Sequence, residues 1–147
     1  MKDNFERLAS LDIPIICSSG NTGKHYIAWP ASLPWTIAVG AYEETLERKA
    51  PYSQWGKGLD CLAYTSLMVP NSKGKGMYFN GTSCAAPMAG ILLGAYIDYR
   101  KQNGLPKLGR EEDRKFIHDN CQDILEEGFD LESGYGLFRL PDTMLEV

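Results

Sequence analysis

A serine hydroxyl can attack a carbonyl when it stands where negative charge is stabilised, and Ser83 of this 147-residue chain has the sequence setting for that. It follows Gly81-Thr82 where a strand-like stretch, Gly76-Met77-Tyr78-Phe79-Asn80, gives way to an apolar helical stretch from Cys84 to Tyr99. The free amides and the dipole at a helix start favour an alkoxide or an acyl-enzyme there. The same residues also suit a plain helix cap, and a bare Gly-Thr-Ser does not separate the two roles. A serine is a weak nucleophile at neutral pH and needs a base that a carboxylate orients. Only two histidines occur, His25 and His118. His25 reads as an exposed loop residue and His118 as a helix-surface residue, neither of them catalytic. Four cysteines, Cys17, Cys61, Cys84 and Cys121, match neither paired zinc-ligand spacing nor a small disulfide scaffold, and read as reduced and mostly buried.

The elements that must position Ser83 follow from the hydrophobic pattern. Phe5, Leu8, Ala9 and Leu11 share one side of a helical wheel, so the opening residues are expected to form the end of an amphipathic helix. Ile13 to Cys17 is a continuous apolar run, the mark of a strand covered on both faces in a parallel sheet, and Trp35 to Gly40 is a second. Between them Ser18-Ser19-Gly20-Asn21-Thr22-Gly23 makes a turn-rich loop at the carboxyl end of the first strand, the edge where open α/β sheets bind ligands. On that pattern alone Asn21 is an ordinary turn asparagine. From Glu43 to Lys75 only a short strand, Leu59 to Tyr64, is predicted. The helix from Cys84 to Tyr99 is apolar on nearly every side and is expected to be buried. Its alanines and glycines admit close neighbours, and Pro87 falls near the first turn, where a missing amide hydrogen costs least. A last helix is predicted from Arg110 to about Cys121, with Glu111, Glu112 and Asp113 at its positive end. No repeat or linker divides residues 1–147, which are expected to form one domain.

The string Asn80-Gly81-Thr82-Ser83-Cys84-Ala85-Ala86-Pro87-Met88-Ala89-Gly90 closely resembles the nucleophile signature of the subtilisin-like serine proteases, the subtilases, in which Gly-Thr-Ser-x-Ala-x-Pro opens a buried helix. Three further blocks resemble that family in the same order. Ser19 to Gly23 is similar to its oxyanion segment, Trp29 to Ala41 to the proline-punctuated strand after it, and Ser133-Gly134-Tyr135-Gly136-Leu137 to its closing Gly-x-Gly element. The resemblance implies an α/β fold with a doubly wound, mostly parallel sheet, present as its C-terminal half. It also implies a serine endopeptidase acting on a peptide or protein substrate through an acyl-enzyme. By the same resemblance Ser83 is the nucleophile and the Asn21 side-chain amide donates to the oxyanion. The backbone of Ser18, Ser19 and Gly20 and the region of Ala28 border the pocket for the residue preceding the cut.

Departures from the family pattern are as informative. No His-Gly-Thr, Asp-Thr-Gly or Asp-Ser-Gly string occurs, and in the family the aspartate and histidine precede the serine. The chain is therefore expected to begin after both and to be inactive alone. A cut there strips strands from the sheet and leaves an edge that invites pairing. The expected partner is an N-terminal subtilase segment supplying the aspartate and histidine, or a second copy of the chain. Ala63-Tyr64-Thr65 stands where relatives often carry Ala-Pro-Gly, and Met88 where they often carry histidine. No carboxylate-rich loop resembles the family's structural calcium sites, so no metal is expected, and no cofactor. The alternative is a catalytically silent remnant serving as an interaction module.

Composition narrows the remaining classes. With 44% hydrophobic and 23% charged residues the chain builds a globular core rather than staying disordered. Lys plus Arg number 15 against 19 for Asp plus Glu, with no dense basic run, which argues against nucleic acid as a partner. No apolar run approaches the roughly 18 residues that suggest a membrane span. The charged opening Met1 to Arg7 has no signal-peptide apolar core after it, so a cytoplasmic location is the expectation.

Overall fold

The structure, a computed structural model, describes residues 2–144. In chain order its elements are α1 (Lys2–Ser10), β1 (Ile15–Ser18), β2 (Thr36–Glu43), β3 (Arg48–Lys49), β4 (Cys61–Tyr64), β5 (Leu67–Pro70), β6 (Gly76–Phe79), α2 (Thr82–Gln102), α3 (Arg110–Asp119), β7 (Cys121–Gln122) and β8 (Leu137–Phe138). Strands β1, β2, β4 and β8 run parallel in the order β1-β2-β4-β8, with β7 antiparallel at the far side and β3 folding back on the end of β2. The register pairs Ile15 with Thr36 and Ser18 with Val39, then Val39 with Cys61 and Tyr42 with Tyr64. This is the α/β, mostly parallel sheet that the apolar runs imply.

Between Thr36 and Glu43 strand β2 carries no charged residue, and both of its faces are covered. Ile37, Val39 and Ala41 meet Ala85, Ala86, Ala89 and Leu93 of α2 and Ile117 of α3. Ala38 and Tyr42 on the other face pack with Leu59, Leu62, Leu137 and the loop residues Ile27 and Ala31. The alanines of α2 let its axis lie close to the sheet, and burying a side chain such as Leu93 or Ile117 contributes roughly 1.5–3 kcal/mol. Among the described residues no helix is long and apolar enough to cross a membrane.

Four expectations are corrected. Strand β1 is not covered on both sides: it pairs only with β2 among the described residues, so Ile15 to Ser18 are each half-buried. Helix α2 begins at Thr82, earlier than predicted, and is buried along one face only and no further than Leu93; Ile91 is 64% exposed, and Ile97 and Tyr99 are exposed too. A helix of that length runs roughly 30 Å at 1.5 Å per residue, whereas the eight-residue β2 beneath it spans roughly 26 Å and the four-residue β1 and β4 roughly 13 Å, so its last turns pass the end of the sheet. Strand β6, expected ahead of Gly81, is present and pairs with β5 in a separate hairpin, Leu67 with Phe79, on which Met68, Met77, Tyr78 and Phe79 are all exposed. The cysteines are free, as expected, but only Cys61 and Cys84 are buried, while Cys17 and Cys121 are half-buried.

Helix α3 supplies the fourth correction. His118, expected on the outer face of its helix, stands with Nε2 2.8 Å from Asp60 Oδ1 and stacks on Tyr135 at 3.9 Å. Arg114, one turn earlier, donates from Nε to the same oxygen at 2.7 Å, and Asp60 Oδ2 accepts from Ala38 N at 2.7 Å. Asp60 is 2% exposed, and a buried carboxylate needs such partners, so α3 turns this face inward toward the start of β4.

Asp113, on the same helix, is buried with no partner for Oδ1. Burial, then Asp12 and Glu112, push its carboxyl above the usual carboxylate range, against the opposing pull of Lys107 and Arg100. The fold thus favours the neutral acid, and the stability this group contributes at low pH is lost as pH rises through the raised value. Asp113→Asn is expected to be more stable than the parent at neutral pH by about 1 kcal/mol. The advantage disappears in acid, below the ordinary aspartate value of about 3.9. Thermal melts across that pH interval measure it, and an equal difference at every pH would contradict the assignment.

Candidate active site

The loop leaving β1 is strapped down before it reaches the site. Ser19 N donates to Val39 O at 2.9 Å and the buried Ser19 Oγ donates to Gln54 O at 3.1 Å. Gln54 N donates to Gly20 O at 2.9 Å, Gly23 N to Tyr52 O at 2.7 Å, and Ala28 N to Ser19 O at 2.9 Å. These bonds present Asn21 at the surface with one end of its carboxamide turned toward α2. Asn21 Oδ1 accepts from Thr82 N at 2.9 Å and from Thr82 Oγ1 at 3.0 Å, and Gly20 N donates to Thr82 Oγ1 at 3.3 Å. Since a backbone N–H can only donate, the oxygen of the carboxamide must face Thr82, which leaves Nδ2 as a donor with no bond to a described residue.

The start of α2 is built from outside the helix. Neither Gly81 nor any residue beside it supplies a side-chain cap. Asn21 fills that role across 61 positions of sequence. Gly81 has φ 94° and ψ 169°, a conformation essentially restricted to glycine. Its carbonyl accepts from Cys84 N at 2.9 Å and from Thr65 Oγ1 at 3.2 Å, while its amide donates to the Tyr52 hydroxyl at 3.2 Å. A Cβ there would sit 3.3 Å from Asn21 Nδ2. Gly81→Ala is expected to cost about 1–3 kcal/mol of stability from backbone strain, read as a fall in melting temperature. An unchanged melt would show that the turn relaxes freely.

Ser83 follows directly. Its side chain is exposed, and its hydroxyl bonds to no described residue. Its backbone amide lies in the first turn, where helical amides have no partner within the helix. The capping alternative is thus met by Asn21 acting on Thr82, and Ser83 is left without a structural bond. The structure brings Asn21, Thr82 and Ser83 together at the carboxyl end of β1, with Gly20 and Ala28 facing each other beside them: the Ala28 methyl lies 3.1 Å from where a Cβ on Gly20 would be. Ser18 ends β1 opposite Val39, half-buried. Ser19 has its side chain turned inward, so only its backbone borders this space.

Neither histidine bonds to Ser83. His25 stacks on Trp55 at 4.1 Å, and His118 is held by Asp60, which precedes β4, while Thr65 at the opposite end of that strand touches Gly81. Among the described residues no group of three or more His, Cys, Asp or Glu could hold a metal ion. Tyr52, Gln54 and Thr65 brace the site, and the first two have no sequence signal of their own. Thr65, at the departure from Ala-Pro-Gly, is buried and contributes a hydroxyl to the turn.

Comparison with known proteins gives the family of the chain. The sequence profile of the Subtilase family matches residues 2–136. The cell wall-associated protease of Bacillus subtilis (strain 168) is 35% identical over 122 residues, covering 81% of this chain and 13% of that protein. Alkaline elastase YaB of Bacillus sp. (strain YaB) is 33% identical over 93 residues, covering 62% of this chain and 24% of that one. Among solved structures, that of a lanthipeptide protease superposes with a TM-score of 0.81 at 20% identity, covering 94% of this chain and 52% of the other. That of the prenylagaramide maturation protease PagA superposes at 0.82 with 19% identity, covering 98% and 54%. The chain therefore spans a quarter or less of these two curated relatives and about half of these solved chains, whose likeness at such identities establishes the fold. With the profile matching all but the ends, and Gly81-Thr82-Ser83 opening the small-residue helix that packs on the sheet, the chain belongs to the subtilase family.

Proposed function

We propose that this chain is the portion of a subtilisin-like serine endopeptidase that carries the nucleophile and an oxyanion donor. It hydrolyses peptide bonds when another segment supplies histidine and aspartate. The observation that carries this reading is the Asn21 carboxamide, oriented by Thr82, the residue before Ser83, whose exposed hydroxyl makes no bond to a described residue.

In this mechanism Ser83 Oγ attacks the scissile carbonyl carbon and its proton passes to the incoming histidine, which the aspartate orients. Charge then develops on the carbonyl oxygen. Asn21 Nδ2 and the Ser83 amide donate to it, and because Thr82 already fixes the carboxamide, little reorganisation is needed as the charge appears. The tetrahedral species collapses by breaking the carbon–nitrogen bond. The histidine returns its proton to the leaving amine, and water then releases the acyl group from Ser83.

Need for a second segment is supported by surface that the described residues leave uncovered. Strand β1 has a free edge, and the β5–β6 hairpin exposes Met68 at 61% and Tyr78 at 64%. A two-stranded hairpin with apolar side chains is marginal alone. An N-terminal subtilase segment is the occupant this reading assigns, and the remaining half of the solved relatives' chains is the length it would have. Residues 1–147 are then one incomplete domain.

The second reading, a silent remnant that only binds, is favoured by the absence of any bond between Ser83 and either histidine. Labelling with a fluorophosphonate separates the two. The chain is expected to be labelled at Ser83 when mixed with an N-terminal subtilase segment bearing the aspartate and histidine, and much less when alone. No labelling in either state would overturn the peptidase reading and leave the silent module.

A further inference from the structure

We infer that Gln54 sets the depth and polarity of the pocket that receives the side chain preceding the cut, restricting it to small residues and favouring a hydroxyl. This rests on the peptidase reading above and on the subtilase resemblance, by which Gly20 and the region of Ala28 border that pocket.

Gln54 is 2% exposed and is clamped from three sides. Its amide donates to Gly20 O at 2.9 Å, its carbonyl accepts from Ser19 Oγ at 3.1 Å, and its side-chain Nε2 donates to Tyr26 O at 3.0 Å. The last bond orients the carboxamide: with nitrogen on Tyr26, the oxygen must point the other way, toward Gly20. A Cβ on Gly20 would fall 1.8 Å from Gln54 Oε1 and 2.5 Å from Cδ, with the Ala28 methyl next at 3.1 Å. The carboxamide therefore lies against the Gly20 α-carbon, in the space between the two residues assigned as pocket walls. Gly20, with φ 113°, is obligatory both for its backbone and for this contact.

Two consequences follow for a substrate. An aromatic or long aliphatic side chain entering between Gly20 and Ala28 meets the Gln54 carboxamide, while alanine or serine stops short of it. Oε1 accepts no hydrogen bond from any described residue, so a serine hydroxyl reaching down supplies the donor this oxygen lacks, and a methyl does not. The chain's own residues thus select serine over alanine, and both over phenylalanine.

The test uses the chain assembled with the N-terminal segment and a series of peptide p-nitroanilides that differ only in the residue before the scissile bond: serine, alanine or phenylalanine. Gln54→Ala is expected to raise kcat/KM for phenylalanine relative to alanine at least about tenfold, a change of the size that pocket volume controls. Gln54→Met, unbranched and of similar length but without the amide, keeps phenylalanine out and abolishes the preference for serine over alanine. If Gln54→Ala does not fold, the Met variant alone decides. Fluorophosphonate labelling of Ser83 is run on each protein. Variants that are labelled but keep the parental ratios overturn the role of Gln54 and leave the peptidase reading intact. A parent complex that is not labelled overturns both.

Discussion

Ser83→Ala is expected to lower peptide hydrolysis by the assembled protein by about 10⁶-fold and to abolish fluorophosphonate labelling, the largest effect of any single change in the chain. The same substitution is expected to leave the melting temperature nearly unchanged. Ser83 is exposed and its hydroxyl bonds to no described residue, and surface changes away from such bonds usually fall within about 0.5 kcal/mol. The two readouts together are diagnostic. A serine that merely capped α2 would lose stability on truncation and have no activity to lose. Measured kcat/KM within tenfold of the parent would remove Ser83 from the chemistry altogether.

The second large effect is at Asn21, where a pair of substitutions separates its oxyanion role from its capping role. Asn21→Ala removes both ends of the carboxamide. Loss of the donor to the oxyanion is expected to reduce kcat by about 10²–10³ with KM little altered, since that bond forms only in the transition state. Loss of the acceptor for Thr82 N is expected to cost a further 0.5–2 kcal/mol of stability, roughly the worth of a helix cap. Asn21→Asp keeps an acceptor for Thr82 and places a negative charge where the oxyanion forms. It is expected to melt like the parent while losing at least as much kcat as the alanine variant. Equal kcat in parent and Asp variant would sink the oxyanion assignment without touching the cap.

Much of the fold was legible because it is written in local pattern. The apolar runs at Ile13 to Cys17 and Trp35 to Gly40 became β1 and β2, and the small-residue stretch after Ser83 became α2. What escaped depends on position in the sheet rather than on residue type. An apolar run looks the same in a central strand and at an edge, so β1 read as covered when its outer side is free. The apolar second half of α2 gives no sign that the strands beneath it stop short. His118 read as a surface residue because its partner, Asp60, lies 58 positions away and only the docking of α3 brings them together. At the site, Ser83 and Asn21 were singled out through a string resemblance. Tyr52 and Gln54 were not, and Thr65 was marked only as a departure from the family pattern, since a buried hydroxyl or amide bracing a turn has no periodicity to betray it.

The single carboxamide at position 21 also bears on how such a chain drifts over generations. Selection for folding alone would retain this asparagine, because its oxygen starts a helix whatever its nitrogen does. Its survival is thus no witness to turnover in any descendant. The hydroxyl one position beyond the capped threonine has no such second employment, so a lineage that abandoned chemistry is free to lose it first.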